Sequence, residues 1–231
     1  MRVRLDRRGL AVGVRELTRR DTDLASVISR FGAPPLWVRE PGFAALVRIV
    51  LAQQVSLASA HAAYARVRQV ATRVTPRRLA ALGIDGFARA GLTRQKSRYL
   101  AAIADAAASR LFDVGRLAEL DDDAARAELM RLDGIGAWSA DIYLLMALGR
   151  PDVWPAHDLA LAQALREVKR LRTPPDARRQ LRLAETWRPW RAVAARILWH
   201  YYLSTPRPHS SGLRTTVAAG TRTSSGVVVD S

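Results

Sequence analysis

Phe43, Leu46, Val47, Val50 and Leu51 recur at i, i+3, i+4, i+7 and i+8, a single apolar stripe with the 3.6-residue period of an amphipathic helix. The stripe stops at Gln53-Gln54, and Ser56 is placed to cap a second helix running to about Val70. Pro76 opens a short helix, and 101–111 forms another. Asp121, Asp122 and Asp123 precede a helix with Ala125, Leu129 and Leu132 on one face, where acidic residues suit the positive end of the helix dipole. Gly134-Ile135-Gly136 breaks it. The next helix turns Ile142, Leu145 and Met146 inward and ends at Gly149, before Pro151. Asp158 opens a helix bearing Leu161, Leu165 and Val168, and Pro174-Pro175 close that region. A last long helix begins near Pro189 and carries Trp190, Val193, Ala194, Ile197, Leu198 and Tyr201.

No β-rich run interrupts this series, so the expected fold class is all-α. At the start, the alternation of Val3, Leu5, Leu10, Val12 and Val14 predicts a small hairpin around Gly9. The expected organisation is a partly irregular N-terminal segment (1–40), a helical core (41–203) and a disordered tail (204–231). The tail is rich in Ser, Thr and Gly and has nothing large enough to pack.

Charge changes the picture. The 231 residues carry 37 basic against 21 acidic side chains, a net charge of +16. Lys96 and Lys169 are the only lysines; the other basic residues are Arg. A compositional bias explains Arg in place of Lys but not the excess itself, which points to a phosphate-rich partner, most simply nucleic acid. The absence of Cys excludes disulfides, zinc–thiolate sites and Cys-ligated clusters, and fits the cytoplasm. No apolar run reaches the ~18 residues of a membrane span, and the basic N-terminus has no apolar stretch of a secretory signal behind it. His61, His157 and His200 form no metal-ligand pattern, and no cofactor is expected.

The most informative segment is Leu132-Asp133-Gly134-Ile135-Gly136-Ala137-Trp138. Two glycines between amphipathic helices permit a tight turn with positive φ and leave no side chains to block a close approach. The backbone N–H groups opening the next helix then face outward, where a DNA phosphate is the natural guest. Carbonyls near Leu132 and Ile135 are placed to hold a monovalent cation bridging to it. Taken alone, this is equally an ordinary helix–helix turn, and Asp158 alone is equally a simple N-cap.

Asp158 stands twenty-two residues after Gly136. The stretch LDGIGAWSADIYLLMALGRPDVWPAHDLAL resembles the helix-hairpin-helix DNA glycosylase superfamily, and FAALVRIVLAQQVSLASA resembles the helix leading into that superfamily's DNA-wedging loop. The combination is most similar to the 3-methyladenine DNA glycosylase II branch, over residues 30–203.

The resemblance implies a two-lobed helical fold with the active-site cleft between the lobes. It implies a monomer that excises alkylated purines such as 3-methyladenine from duplex DNA in base excision repair. Asp158 becomes the catalytic carboxylate facing an oxocarbenium-like sugar. Trp138 and Trp199 fall at base-pocket positions, with Tyr143 a weaker candidate and Trp154 and Tyr202 more core-like. Gly134, Ile135 and Gly136 contact DNA, as do Gln53 and Gln54. Gln54 falls at the wedge position, where the branch carries an apolar residue. Lyase members place a Lys where this chain has Trp138, so a monofunctional hydrolase is implied. The Trp187-Arg188-Pro189-Trp190-Arg191 segment also resembles the branch, with its arginines free to meet either phosphate or core acids. Members of the branch begin with a larger α/β domain, for which the ~40 residues ahead of Phe43 leave at most a fragment. Two alternatives stay open: a glycosylase for another damaged or mismatched base, and a non-catalytic DNA-binding module.

Overall fold

The computed structural model describes residues 4–206, and these contain helices and connecting turns with no strand. The helices are α1 (Arg7–Arg20), α2 (Thr22–Phe31), α3 (Phe43–Ala52), α4 (Leu57–Ala71), α5 (Pro76–Arg89), α6 (Arg94–Ala108), α7 (Asp122–Met130), α8 (Ala137–Ile142), α9 (Leu159–Val168), α10 (Ala177–Ala184) and α11 (Arg191–Ser204). A π-helical turn over Tyr143–Ala147 continues α8.

Most of the caps read from sequence are in place. Ser56 accepts from the Ser59 N–H, Asp121 from Ala124 and Asp158 from Leu161. Pro76 sits in the first turn of α5, behind Thr75. The helix expected over 101–111 begins seven residues earlier, at Arg94, capped by Thr93. Its first turns are too polar to show a stripe.

Two elements depart from the sequence reading. The hairpin expected around Gly9 is instead the helix α1, capped by Asp6, whose carboxylate accepts from the Gly9 N–H at 2.6 Å. The face that counts is Leu10, Gly13 and Leu17, packed on α11. A Cβ at Gly13 would lie 2.8 Å from Val193 Cγ2 and 3.0 Å from the Trp190 ring, so glycine permits this close crossing. Local alternation is overridden by tertiary packing. Val3 lies outside the described residues. Helix α10 is absent from the sequence reading: it is eight residues long, rich in Arg, and buries only Gln180 and Ala184. Of the expected tail, Ser204 closes α11, and residues from 207 on lie outside the described region.

The helices form two groups that share one core. Helices α3 to α8 pack among themselves, α5 against α6 most extensively. Helices α1, α2 and α9 gather around α11, with α10 joined through the turn that follows it. The groups meet where α8 faces the start of α9. This is the two-lobed all-helical arrangement expected from sequence.

The extended segment 33–42 bridges the lobes. The Arg39 N–H donates to Met146 O at 2.8 Å, and the Gly42 N–H donates to the Tyr143 hydroxyl at 3.0 Å. From the other side, the fully buried Arg196 donates to the carbonyls of Leu36 (2.6 Å), Ala192 (2.9 Å) and Leu145 (3.0 Å). Burial pulls its pKa down to about 9, so it remains charged at neutral pH. Arg196→Met should cost about 3 kcal/mol in urea unfolding, because charge-assisted hydrogen bonds are lost and the Leu36 carbonyl loses its donor. An unchanged midpoint would show that Arg196 is not a strut.

Candidate active site

The carboxylate of Asp158 is the centre of the junction. It caps α9, with Oδ1 accepting from the Leu161 N–H at 2.9 Å and from the Trp199 indole N–H at 3.2 Å. Oδ2 accepts from the Trp138 indole N–H at 3.0 Å. The residue is only 3% exposed. Burial pushes its pKa above the usual carboxylate value, and the hydrogen bonds from Trp138, Leu161 and Trp199 oppose that rise. Three helices therefore contribute to one carboxylate: α8 through Trp138, α9 through its own N-terminus and α11 through Trp199.

The hairpin sits at the entrance to α8. Gly134 has φ +84°, and a Cβ there would lie 2.3 Å from the Tyr99 ring, so both the backbone conformation and the packing require glycine. Gly136 departs from expectation: its φ is −90°, an extended conformation open to any residue, and a Cβ there would meet nothing within 4 Å. Gly136 is exposed, whereas Ile135 is 4% exposed and can offer a ligand only its backbone. The Leu132 carbonyl already accepts from the Ile135 N–H at 3.0 Å, which leaves its second lone pair for a cation.

Gln53 and Gln54 divide their work. The Gln53 side-chain amide donates to the Gly134 carbonyl at 2.7 Å and to the Ser139 hydroxyl at 2.9 Å, tying the α3–α4 turn to the hairpin. Gln54 is exposed at the tip of that turn with φ +56°, a conformation that disfavours non-glycine residues.

Turn and hairpin border a cavity of about 660 Å³, lined among others by Gln54, Lys96, Tyr99, Asp133 and Gly136. Sequence reasoning missed Lys96 and Tyr99. The Lys96 ammonium donates to the Leu51 carbonyl at 2.8 Å, and burial lowers its pKa. No local motif marks these residues; packing of α6 against α3 brings them in. The other lysine, Lys169, is paired with Asp21 at 2.7 Å and with Asp23 at 3.0 Å.

Asp158 does not line that cavity. Trp199 and Tyr143 are fully buried, so the expectation that they wall an open pocket is not met in this structure. Trp199 is spent on Asp158, and Tyr143 on segment 33–42. Trp138 alone of the three keeps part of its surface exposed. Arg188 and Arg191 are engaged by Asp152 and Glu185. Among the described residues, no three His, Asp or Glu side chains gather to hold a metal ion, and no helix is long and apolar enough to cross a membrane.

A helix-hairpin-helix turn followed, one helix later, by a buried aspartate that Trp138 of the intervening helix holds defines the class of protein. Residues 47–189 match the family model described as HhH-GPD superfamily base excision DNA repair protein, and the chain belongs to that superfamily. It is 36% identical over 197 residues to a Mycobacterium tuberculosis protein named "Probable bifunctional transcriptional activator/DNA repair enzyme AlkA", a match covering 78% of this chain but 37% of that relative's length. It is 30% identical over 165 residues to DNA-3-methyladenine glycosylase 1 of Schizosaccharomyces pombe, covering 70% of this chain and 72% of that protein. Among solved structures, it is similar to the 3-methyladenine DNA glycosylase Mag1 of Schizosaccharomyces pombe in complex with abasic DNA. The TM-score is 0.74 at 25% identity, covering 81% of this chain and 94% of that one.

Proposed function

We propose that this protein is a monofunctional DNA glycosylase that removes alkylated purines, 3-methyladenine foremost, from duplex DNA in base excision repair. The observation that carries the reading is the Asp158 carboxylate, held by the Trp138 and Trp199 indoles and by the N-terminus of α9 next to a glycine hairpin. The relatives named as 3-methyladenine glycosylases support the same substrate class.

In this mechanism the hairpin N–H groups hold a strand phosphate; the carbonyls of Leu132 and Ile135 would hold a monovalent cation, which would supply further positive charge for that phosphate. Gln54 enters the stack as the damaged nucleotide leaves it. The base meets the exposed side of Trp138, whose electron-rich face attracts a cationic alkylpurine by ~0.5–2 kcal/mol. Trp199 acts from behind, holding Asp158 in place through its indole N–H. Asp158 stabilises the positive charge that develops on the sugar and orients the attacking water. The protein acts as a monomer in the cytoplasm, on chromosomal DNA, without a catalytic metal or redox cofactor.

A panel of duplexes carrying alkylated, oxidised or mismatched bases tests the reading. Alkylpurine release is expected to dominate, and preferential release of an oxidised base would overturn it.

Two further results follow from the geometry. Trp138→Phe removes the N–H on Oδ2, so the carboxylate becomes harder to ionise. The acidic limb of the single-turnover pH–rate profile should then move to higher pH, and an unmoved limb would deny Trp138 its hold on Asp158. Excision should also leave an intact abasic strand, with no adduct trapped by borohydride, because an indole stands at the hairpin position where an amine would act. Trapping that disappears in Lys96→Ala would instead make the Lys96 amine a nucleophile.

A further inference from the structure

The turn between α3 and α4 has a second hollow beside it, sharing no lining residue with the hairpin cavity. It is lined by Arg39 from segment 33–42, Arg48 and Ala52 from α3, and Leu57, His61 and Tyr64 from the first two turns of α4. None of the lining residues is acidic. The Arg48 guanidinium carbon lies over the Tyr64 ring, 3.6 Å from its centroid, a cation–π contact that holds the side chain at the hollow. Arg39 is largely withdrawn from water, and its pKa is lowered by that burial and by the charge of Arg48. The two like charges line the same hollow. The α4 N-terminus adds its positive dipole end, with no acidic residue in its first turn. His61 is exposed at the mouth. The open space is about 10 Å³, room for one water-sized group such as a phosphate oxygen.

We propose that Arg39, Arg48 and His61 form a second anchor for the duplex, holding one backbone phosphodiester beside the wedge turn at a site separate from the hairpin. The inference rests on the reading of this chain as a duplex-DNA binder. A cationic base is excluded by the two arginines, whereas a phosphate relieves their repulsion. Gln54, at the tip of the same turn, enters the duplex between the two anchors. Holding the backbone at two separate points beside an inserted side chain is what keeps a distorted duplex from sliding off it.

The test is equilibrium binding of the full chain to an abasic-site duplex, compared for wild type, Arg48→Gln and His61→Ala. His61 is exposed, so its variant is not a folding risk; circular dichroism melts check Arg48→Gln. Arg48→Gln is expected to reduce the slope of log K against log salt by about one, the change for one lost phosphate contact, and His61→Ala to weaken affinity several-fold. Replacing the phosphates one at a time with neutral methylphosphonate locates the partner. One position outside the hairpin's contact should weaken wild type several-fold and leave Arg48→Gln unaffected.

Equal sensitivity of wild type and Arg48→Gln at every position would overturn the proposal. So would competition by inorganic phosphate or an acidic peptide at Arg48 without any coupled position on the duplex. Binding is read without base release. A protein that binds with this pattern but excises nothing would keep the anchor and lose the glycosylase assignment, and a protein that binds no duplex would lose both.

Discussion

Asp158→Asn should abolish base release while leaving duplex affinity within a few-fold of wild type. The substitution keeps the shape and removes the charge that faces the developing oxocarbenium ion. Loss of one preorganised electrostatic contact at a transition state costs about 2.7–4 kcal/mol, or ~10²–10³ in rate, and a full carboxylate charge in a buried site should cost at least that. The local geometry adds to the loss. An Asn amide cannot accept on both sides, so either the Trp138 indole or the donors on the other oxygen would face an NH₂ group. The pH dependence of the wild type carries the same signature. Burial raises the folded pKa of Asp158, and the active form is the ionised one. Activity should therefore fall as pH drops through a value above the usual carboxylate range, whereas an ordinary surface aspartate would hold its charge lower. Single-turnover excision across pH measures both effects. Asp158→Asn within a few-fold of the wild-type rate would remove Asp158 from the chemistry.

The two hairpin glycines should separate under substitution, although sequence alone makes them equivalent. Gly134→Val forces a β-branched residue into positive φ and drives its Cβ into the Tyr99 ring. It should therefore lose stability, by about 2–4 kcal/mol, together with DNA affinity. Gly136→Val strains nothing inside the protein, since its backbone is extended and the space beside it is empty. It should melt close to wild type yet bind all duplexes more weakly, by roughly tenfold or more, because the new side chain stands where a phosphate would approach the α8 N-terminus. Urea unfolding and a salt series of binding curves separate the two. Normal duplex affinity in Gly136→Val would show that the hairpin is not the anchor.

What could be read from the sequence was whatever is encoded locally. The α3 stripe from Phe43 to Leu51, the caps at Ser56, Asp121 and Asp158, and the break at Gly134 are set by side-chain periodicity and by backbone hydrogen bonds within a few residues. The spacing of Asp158 from the hairpin was visible too, because a single connected stretch carries both. Local signals failed where the deciding contact lies far along the chain. The alternation from Leu5 to Val14 suggests a hairpin around Gly9, but packing on α11, 170 or more residues away, makes residues 7–20 a helix with Gly13 at the crossing. Helix α10 is amphipathic, but at eight residues with three Arg it is too short and too polar to stand out from a solvated loop.

The site itself was settled by tertiary structure. The sequence named Trp138, Trp199 and Asp158; only the fold turned both indole N–H groups onto the carboxylate and buried it with them. The sequence named Gln53 and Gly134; only the fold joined them across 81 residues and set Tyr99 beneath the glycine. Periodicity and capping are properties of adjacent residues and survive in one dimension. A hydrogen bond between helices depends on how whole helices dock, and that is fixed by the burial of a shared core rather than by any motif.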